Sequence, residues 1–311
     1  MSQAFDPFAG FELSHTAPST RPQQEIWLAI KQGGLEASLA YNECLSLEIS
    51  GPVDEALLRE AWELLARRHE SLRTCFTQDG QTLCIEKVPR ITWRTEDWSG
   101  EDHYSQRKRL SQLLGREVAS PFHLVTQSGF RVTWIDFGEE RSEFILTAHH
   151  ILCDGYSAGV LLSELCQVYT ALSEGRAPAL ETAPKFSDYA LAQKEALGSP
   201  ESAEAERQWL KLLGESPETL DLPVDSQRPI NRTFEARRED ILLPRELLEG
   251  LRATAGRAGI SLTAAFLAAA SALALASAAL VGSATVCAFK IAAENKQPAI
   301  ILRNRFLFIK N

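Results

Sequence analysis

Two consecutive histidines, followed at a fixed distance by an aspartate and a glycine, form the strongest chemical signal in the chain. The residues are His149, His150, Asp154 and Gly155, and an Ile-Leu-Cys tripeptide separates the two pairs. A neutral imidazole, with a pKa of about 6.5, can take a proton from an amine or a hydroxyl at neutral pH. The pattern HHxxxDG therefore indicates either a general base or hydrogen-bond acceptor, or two histidines with purely structural hydrogen bonds.

The residues of this motif are expected to differ in role. Residues 144–148 (FILTA) are typical of a buried strand, and consecutive strand residues point to opposite faces, so only one of His149 and His150 should face a cleft. An unpaired carboxylate at Asp154 would be costly in this apolar turn, so we expect it to be paired rather than catalytic. Gly155 should supply a positive φ or a close backbone approach to substrate, or be a simple turn glycine.

Other catalytic chemistries have less support. The sequence lacks the HExxH pattern of a zinc hydrolase, and no serine-nucleophile elbow is expected. Its six cysteines contain no CxxC pair, which favours reduced, buried thiols in a cytoplasmic protein over a structural zinc site or a disulfide framework. Without an obvious protein nucleophile, histidine chemistry is best explained by direct transfer, in which a bound amine or alcohol attacks a bound thioester.

The elements that position the motif alternate between strands and helices. An alternating pattern predicts a strand over 41–50, and helical spacing predicts an amphipathic helix from an Asp54 cap to Arg68. The motif itself connects a strand to a helix for which Ser157 is the expected N-cap. The remaining predictions are helices at 23–32, 102–118, 189–196, 203–213 and 245–258, a hairpin of strands 72–78 and 82–88, paired strands at 130–137 and 143–148, and a strand at 234–243.

The composition is that of a globular protein with two domains or one two-lobed unit: 311 residues, 45% hydrophobic and 23% charged. A net charge of -9 argues against a nucleic-acid partner, because that function needs a basic surface. Residues 258–289 contain no charged side chain and precede a basic segment, so a membrane helix is one interpretation. Because 12 of the residues 261–289 are alanine, we favour a buried helix followed by a tail and expect no membrane association.

Four further segments extend the motif. They are APSTRPQQEIW at 17–27, RHESLRTCF at 68–76, FSDYA at 186–190 and LPVD at 222–225. Together with HHxxxDG they resemble the condensation domains of nonribosomal peptide synthetases, members of the chloramphenicol acetyltransferase-like superfamily. The resemblance covers about residues 14–265 and implies an α+β fold, an α/β sandwich of two similar lobes.

The resemblance also implies a role for each site residue. His150 would be the catalytic histidine, near the amine of an acceptor aminoacyl thioester as it attacks a donor acyl thioester. Asp154 would pair with Arg73 to hold the loop, and His149 and Gly155 would shape the site. No cofactor would bind directly, because both substrates would arrive on the phosphopantetheine arms of carrier domains. The partners would be the donor and acceptor carrier domains and adjacent synthetase modules.

The resemblance divides the chain into five segments. They are an N-terminal leader (1–13), a first acetyltransferase-like lobe (14–180), connector helices and a linker (181–232), part of a second lobe (233–275) and an atypical apolar-then-basic tail (276–311). The family's unit is longer than this chain, and no family motif matches after about residue 275, so we expect a C-terminally truncated second lobe.

Three functions remain open from the sequence. The first is condensation, the formation of an amide bond between a carrier-bound donor acyl group and the amine of a carrier-bound acceptor. The second is ester formation by an acyltransferase of the same superfamily. The third is a catalytically silent domain that binds carrier proteins. Truncation favours this function, because a first lobe alone would leave one wall of the substrate channel between the two lobes in water. The segments at 17–27 and 68–76 favour the first.

Overall fold

The computed structural model describes residues 12–214, 233–234 and 242–269, together with the backbone of 305–307. The chain divides into two units, Met1–Arg237 with Leu302–Asn311, and Arg238–Ile301. The first unit combines two β-sheets with helices in an α+β fold. In its described residues, the second unit contains helix α7 (Arg245–Ala258) and a helical segment at 262–269.

Helices and strands are interleaved along the first unit. Its strands are β1 (Leu13–Pro18), β2 (Asn42–Ser50), β3 (Thr74–Phe76), β4 (Thr82–Glu86), β5 (Trp93–Asp97), β6 (Phe130–Gly138), β7 (Arg141–His149) and β8 (Arg305–Leu307). Its helices are α1 (Arg21–Leu39), α2 (Glu55–Arg68), α3 (His103–Ala119), α4 (Gly155–Ser173), α5 (Phe186–Leu197) and α6 (Pro200–Leu213), with a 3₁₀ helix at Glu70–Arg73. The larger sheet has the order β5-β6-β7-β2-β8, and the smaller one has the order β1-β4-β3.

Strand β7 lies in the centre of the larger sheet and carries the HHxxxDG motif at its C-terminal end. It pairs antiparallel with β6 on one side and with β2 on the other. The register with β2 places Asn42 opposite His149 and Ser50 opposite Arg141. This ladder fixes the position of the motif relative to the start of β2.

Helices cover both faces of this sheet. On one face, Trp62 of α2 and Leu165 of α4 belong to the same buried cluster as Phe144 of β7. On the other face, Leu114 of α3 lies in a buried cluster with Ile145. Because side chains alternate along a strand, neighbouring residues of β7 enter different parts of the core. The motif therefore begins on a strand that is held from both sides.

Several predicted elements are present. Asp54 caps α2, and its carboxylate accepts a hydrogen bond from the Leu57 N–H at 3.1 Å. Strands β3 and β4 pair antiparallel as the predicted hairpin, with a positive φ at Gly80 in the turn. The sequence patterns do not predict β1 or β5, which occupy edges of the two sheets.

The start of α4 differs from the prediction. The helix begins at Gly155, and its N-cap is Asp154 rather than Ser157. The Asp154 carboxylate accepts a hydrogen bond from the Ser157 backbone N–H, which is the bond that defines an N-cap. Asp154 is preferred because an acceptor three residues earlier in the chain can satisfy an unpaired N–H of the first turn.

The predictions for the linker and the tail fall mostly outside the described residues, since 215–232, 235–241 and 270–304 lie there. In the tail, β8 pairs antiparallel with β2 and places Phe306 opposite Leu45. Over the described ranges, no helix has both the length and the apolar character needed to cross a membrane. Most of the uncharged stretch 258–289 lies outside those ranges.

Candidate active site

The end of β7 and the start of β2 fix the position of both histidines. Strand β7 ends at His149, and His150 is the first residue of the turn that leads to α4. The backbone N–H of His150 donates to the Tyr41 carbonyl at 2.7 Å and so extends the β2–β7 ladder by one residue. The motif is therefore positioned by rigid sheet rather than by a free loop.

His149 is a buried and neutral histidine. It is 0% exposed, and its ring lies 5.9 Å from the ring of Tyr41 and 6.3 Å from that of Phe122, measured between centroids. Burial is the main cause that lowers the pKa of His149, to about 4, and the neighbouring His150 contributes less. Its Nδ1 accepts a hydrogen bond from the Ile151 N–H at 3.2 Å, so the neutral ring carries its proton on Nε2.

His150 is partly exposed and faces a carboxylate. Its side chain is 38% exposed, and its Nδ1 lies 2.7 Å from Oε1 of Glu43. The interaction with Glu43 raises the pKa of His150; burial opposes this increase, and Asp154 adds a smaller one. Nδ1 is buried, so this contact is sheltered from water, and it is an ion pair whenever the ring is protonated. Within the described part of the chain, Nε2 of His150 has no hydrogen-bond partner.

Asp154 is occupied by the first turn of α4. Its Oδ1 accepts a hydrogen bond from the Ser157 hydroxyl at 2.6 Å and another from the Ser157 N–H at 2.8 Å. These two bonds, in that order, are the main causes that lower the pKa of Asp154. The ionised carboxylate is also favoured by the positive end of the helix dipole.

The expected pair between Arg73 and Asp154 is not formed. Arg73 is the last residue of the 3₁₀ helix, and its Nη1 donates to the carbonyl of Glu86. No ion pair joins Arg73 to Asp154 among the residues that the structure describes. The physical reason is local: β3 follows Arg73 and pairs with β4, whose end supplies the carbonyl, while Asp154 is satisfied by α4.

Among the described residues, neither the backbone conformation nor the packing requires a glycine at position 155. It is the first residue of α4, and its φ is not among the positive values that occur at other glycines. A Cβ placed on Gly155 would meet no atom within 4 Å. Of the three alternatives given for Gly155, the positive φ is therefore wrong, and open space lies beside this backbone.

Ser157 donates to the N-cap residue Asp154 and is not an activated nucleophile. Residues 155–159 (GYSAG) match the GxSxG sequence pattern, although no serine-nucleophile elbow was expected. In an elbow the serine sits in a sharp strand-to-helix turn, with its hydroxyl exposed. Ser157 instead lies inside the first turn of α4 and donates to Asp154, and no histidine contacts its hydroxyl within the described ranges.

Among the described residues, the motif is accompanied by no cluster of metal ligands and by a protonated thiol. Throughout the described ranges, no group of three His, Cys, Asp or Glu side chains could hold a metal ion. The five cysteines there are free thiols, and four are buried. Burial is the main cause that raises the pKa of Cys153, within the motif, to about 12, so this thiol is protonated at neutral pH.

Glu43 is a site residue that the sequence patterns did not identify. It lies on β2, more than a hundred positions before His150, and only the register between β2 and β7 brings the two together. One signal was present in the sequence: Glu43 is an acidic residue at the start of a strand whose next residues, Cys44 and Leu45, are buried. An acid in such a position has to be paired or hydrogen-bonded.

The fold agrees with the comparisons with known proteins. A model of the condensation-domain family matches residues 13–277, and the chain belongs to this family. Among the relatives, a linear gramicidin synthase polypeptide from Brevibacillus parabrevis is 33% identical over 255 residues, which are 81% of this chain and 5% of that protein. Malpinin synthetase from Mortierella alpina is 29% identical over 79% of this chain and 3% of that protein.

Solved structures show the same fold. The first condensation domain of the CDA synthetase matches with a TM-score of 0.68 and 24% identity, over 84% of this chain and 61% of that domain. A variant of the starter condensation domain of rhizomide synthetase, in complex with C8-CoA and Leu-SNAC, matches with a TM-score of 0.57 and 23% identity, over 64% of this chain and 46% of that one. The chain thus spans about half of these solved domains and a small part of the synthetases.

Proposed function

We propose that this protein forms an amide bond between a donor acyl thioester and the amine of an acceptor aminoacyl thioester, with His150 as the base or positioning residue. The observation that carries the proposal is the contrast at the motif. His150 presents an unpartnered Nε2, within the described part of the chain, on a half-buried ring whose other nitrogen faces Glu43. Membership of the condensation-domain family supports the same reaction.

In the proposed reaction, the amine nitrogen attacks the carbonyl carbon of the donor thioester. The C–N bond forms and the C–S bond breaks. Nε2 of His150 takes one proton from the attacking amine and delivers a proton to the departing thiolate, so the neutral imidazole is regenerated. A thioester is already activated and an α-amino group has a pKa of about 8, so alignment of the two reactants supplies much of the acceleration.

The substrates are proposed to arrive on phosphopantetheine arms of a donor and an acceptor carrier domain within a synthetase assembly. The relatives are named as synthases and synthetases, of which this chain matches a small part. The C8-CoA and Leu-SNAC bound by the rhizomide synthetase domain support a pairing of an acyl donor with an aminoacyl acceptor. The open space beside Gly155 is where we propose that one arm passes the start of α4.

The test is a condensation assay with loaded donor and acceptor carrier proteins, in which mass spectrometry detects the product on the acceptor carrier. We expect His150→Ala to lower the rate by about 10² to 10⁴-fold, the usual contribution of a general base. His149→Ala should lower it less once both rates are corrected for the folded fraction measured by circular dichroism. Equal rates for His150→Ala and the parent chain would reject the role of His150.

The same assay separates the other functions. A parent chain that binds loaded carriers but forms no product would identify a catalytically silent carrier-binding domain. Product formation with a hydroxyacyl acceptor, and none with an aminoacyl acceptor, would identify an ester-forming enzyme. The proposal requires product with the aminoacyl acceptor.

A further inference from the structure

The carboxylate of Glu43 lies against Nδ1 of His150, and Nε2 is the ring nitrogen that we propose to meet the substrate. Oε1 of Glu43 lies 2.7 Å from Nδ1 of His150, and the Glu43 side chain is only 17% exposed. Nδ1 itself is buried. A contact that is sheltered from water is screened less than one on an open surface.

Backbone pairing imposes this contact. Because Asn42 lies opposite His149 in the β2–β7 register, and the His150 N–H binds the Tyr41 carbonyl, Glu43 is a diagonal cross-strand neighbour of His150. Diagonal neighbours are within reach of long side chains. The two side chains therefore meet through a fixed ladder and not through a mobile loop.

The other titratable groups that face this pair leave Glu43 as its dominant partner. Cys153 and His149 are both uncharged at neutral pH, because burial raises the pKa of the thiol to about 12 and lowers that of the imidazole to about 4. Asp154 is ionised, but its Oδ1 already accepts two hydrogen bonds from Ser157. Its contribution to the raised pKa of His150 is smaller than that of Glu43.

We propose that Glu43 is a positioning residue that holds the proton of the neutral His150 ring on Nδ1, directs the Nε2 lone pair to the reacting amine, and stabilises the imidazolium formed during the reaction. The inference rests on the proposed function, because it assigns Glu43 a role through His150. When Nε2 takes the proton of the amine, the ring becomes positively charged beside the Glu43 carboxylate. When Nε2 returns a proton to the thiolate, the ring is neutral again and its remaining proton is on Nδ1.

The first arm of the test is independent of activity. In protein labelled with ¹⁵N-histidine, NMR titration measures the pKa and the tautomer of His150 in the parent chain, in Glu43→Gln and in Glu48→Gln. Glu48 lies on the same strand and provides a matched control. We expect Glu43→Gln to lower the pKa of His150 and to mix its tautomers, and Glu48→Gln to change neither. Unchanged values in Glu43→Gln would overturn the inference.

The second arm uses the condensation assay. Glu43→Gln should lower kcat by about tenfold or more, and at most by the 10² to 10⁴-fold expected for His150→Ala. KM should change little, and Glu43→Asp should recover part of kcat. In the His150→Ala background, Glu43→Gln should cause no further loss, since a residue that acts through His150 has nothing left to orient.

Two outcomes in this arm contradict the inference. One is an unchanged kcat in Glu43→Gln when His150→Ala does lower the rate. The other is a further loss from Glu43→Gln in the His150→Ala background, which indicates a general structural role. A His150→Ala variant as active as the parent overturns the proposed role of His150 and the catalytic part of this inference, while the NMR arm still decides whether Glu43 and His150 are paired.

Discussion

His149 and His150 are neighbours in the chain, but their imidazoles lie in opposite surroundings. His149 is fully buried between aromatic rings, and its pKa is lowered to about 4. His150 is partly exposed beside Glu43, and its pKa is raised. The difference arises because burial is the largest influence on His149, whereas at His150 the nearby carboxylate outweighs it. One step along a pleated strand thus separates a structural histidine from one suited to chemistry.

The largest effect on stability is expected from His149, whose buried ring should make the fold less stable in acid. Its ring binds a proton in the unfolded chain near pH 6.5 but in the folded chain only near pH 4. Between these values the unfolded state binds more protons, so the stability falls as the pH falls. A fully buried group with this shift accounts for a loss of about 3 kcal/mol between pH 7 and pH 4.

Urea unfolding at several pH values measures this loss. His149→Asn places an amide oxygen where Nδ1 accepts the Ile151 N–H but does not titrate, so its stability should depend less on pH over this range. His150→Gln provides the control with the opposite sign. The raised pKa of His150 stabilises the fold at low pH, and that stabilisation is lost as the pH rises through the folded value. Identical pH slopes for the parent and His149→Asn would contradict the account of His149.

The strands and helices around the two histidines were predictable where the signal lies within one short segment of sequence. The Asp54 cap and the helical spacing define α2, and the apolar run before His149 defines β7. Strand β1 (LSHTAP) and strand β5 (WRTED) were not predictable, because neither has an alternating apolar pattern. Each is a strand through its partner: β1 pairs with β4, and β5 pairs in parallel with β6. Tertiary pairing overrides weak local preference in such segments.

The site was predictable to a similar extent. The motif identified His149, His150, Asp154 and Gly155 because they are close together in the chain. Glu43 was not identified, because its contact with His150 depends on the register of two distant strands. The expected pair between Asp154 and Arg73 is not formed, because Asp154 is an N-cap and its carboxylate accepts two hydrogen bonds from Ser157.

A smaller effect is expected at Asp154, which joins the turn after His150 to α4. Asp154→Ala removes the N-cap and should destabilise the fold by about 1 kcal/mol in urea unfolding, the usual cost of losing a capping side chain. Asp54→Ala, at the N-cap of α2, is the matched control and should cost a similar amount.

Asp154→Ser separates the cap from the charge. A serine can cap the helix, so this variant should retain most of the stability while it removes the negative charge near His150. The pKa of His150 should then fall, but by less than in Glu43→Gln, because Asp154 contributes less than Glu43 to the raised value. If Asp154→Ser destabilised the fold as much as Asp154→Ala, the capping role would be contradicted.

The smallest effect is expected at Gly155, where the open side of the site can be tested directly. A Cβ there meets no atom within 4 Å, and φ is not positive, so Gly155→Ala should change stability by less than about 1 kcal/mol, in the favourable direction. Gly159→Ala, one turn further along α4, has equally open surroundings and serves as the control. If a substrate arm passes the start of α4, KM for the carrier-bound substrate should rise a few-fold in Gly155→Ala and not in Gly159→Ala. Equal KM values in the two variants would place the arm elsewhere. A clear loss of stability in Gly155→Ala would show that the fold itself needs the space beside Gly155.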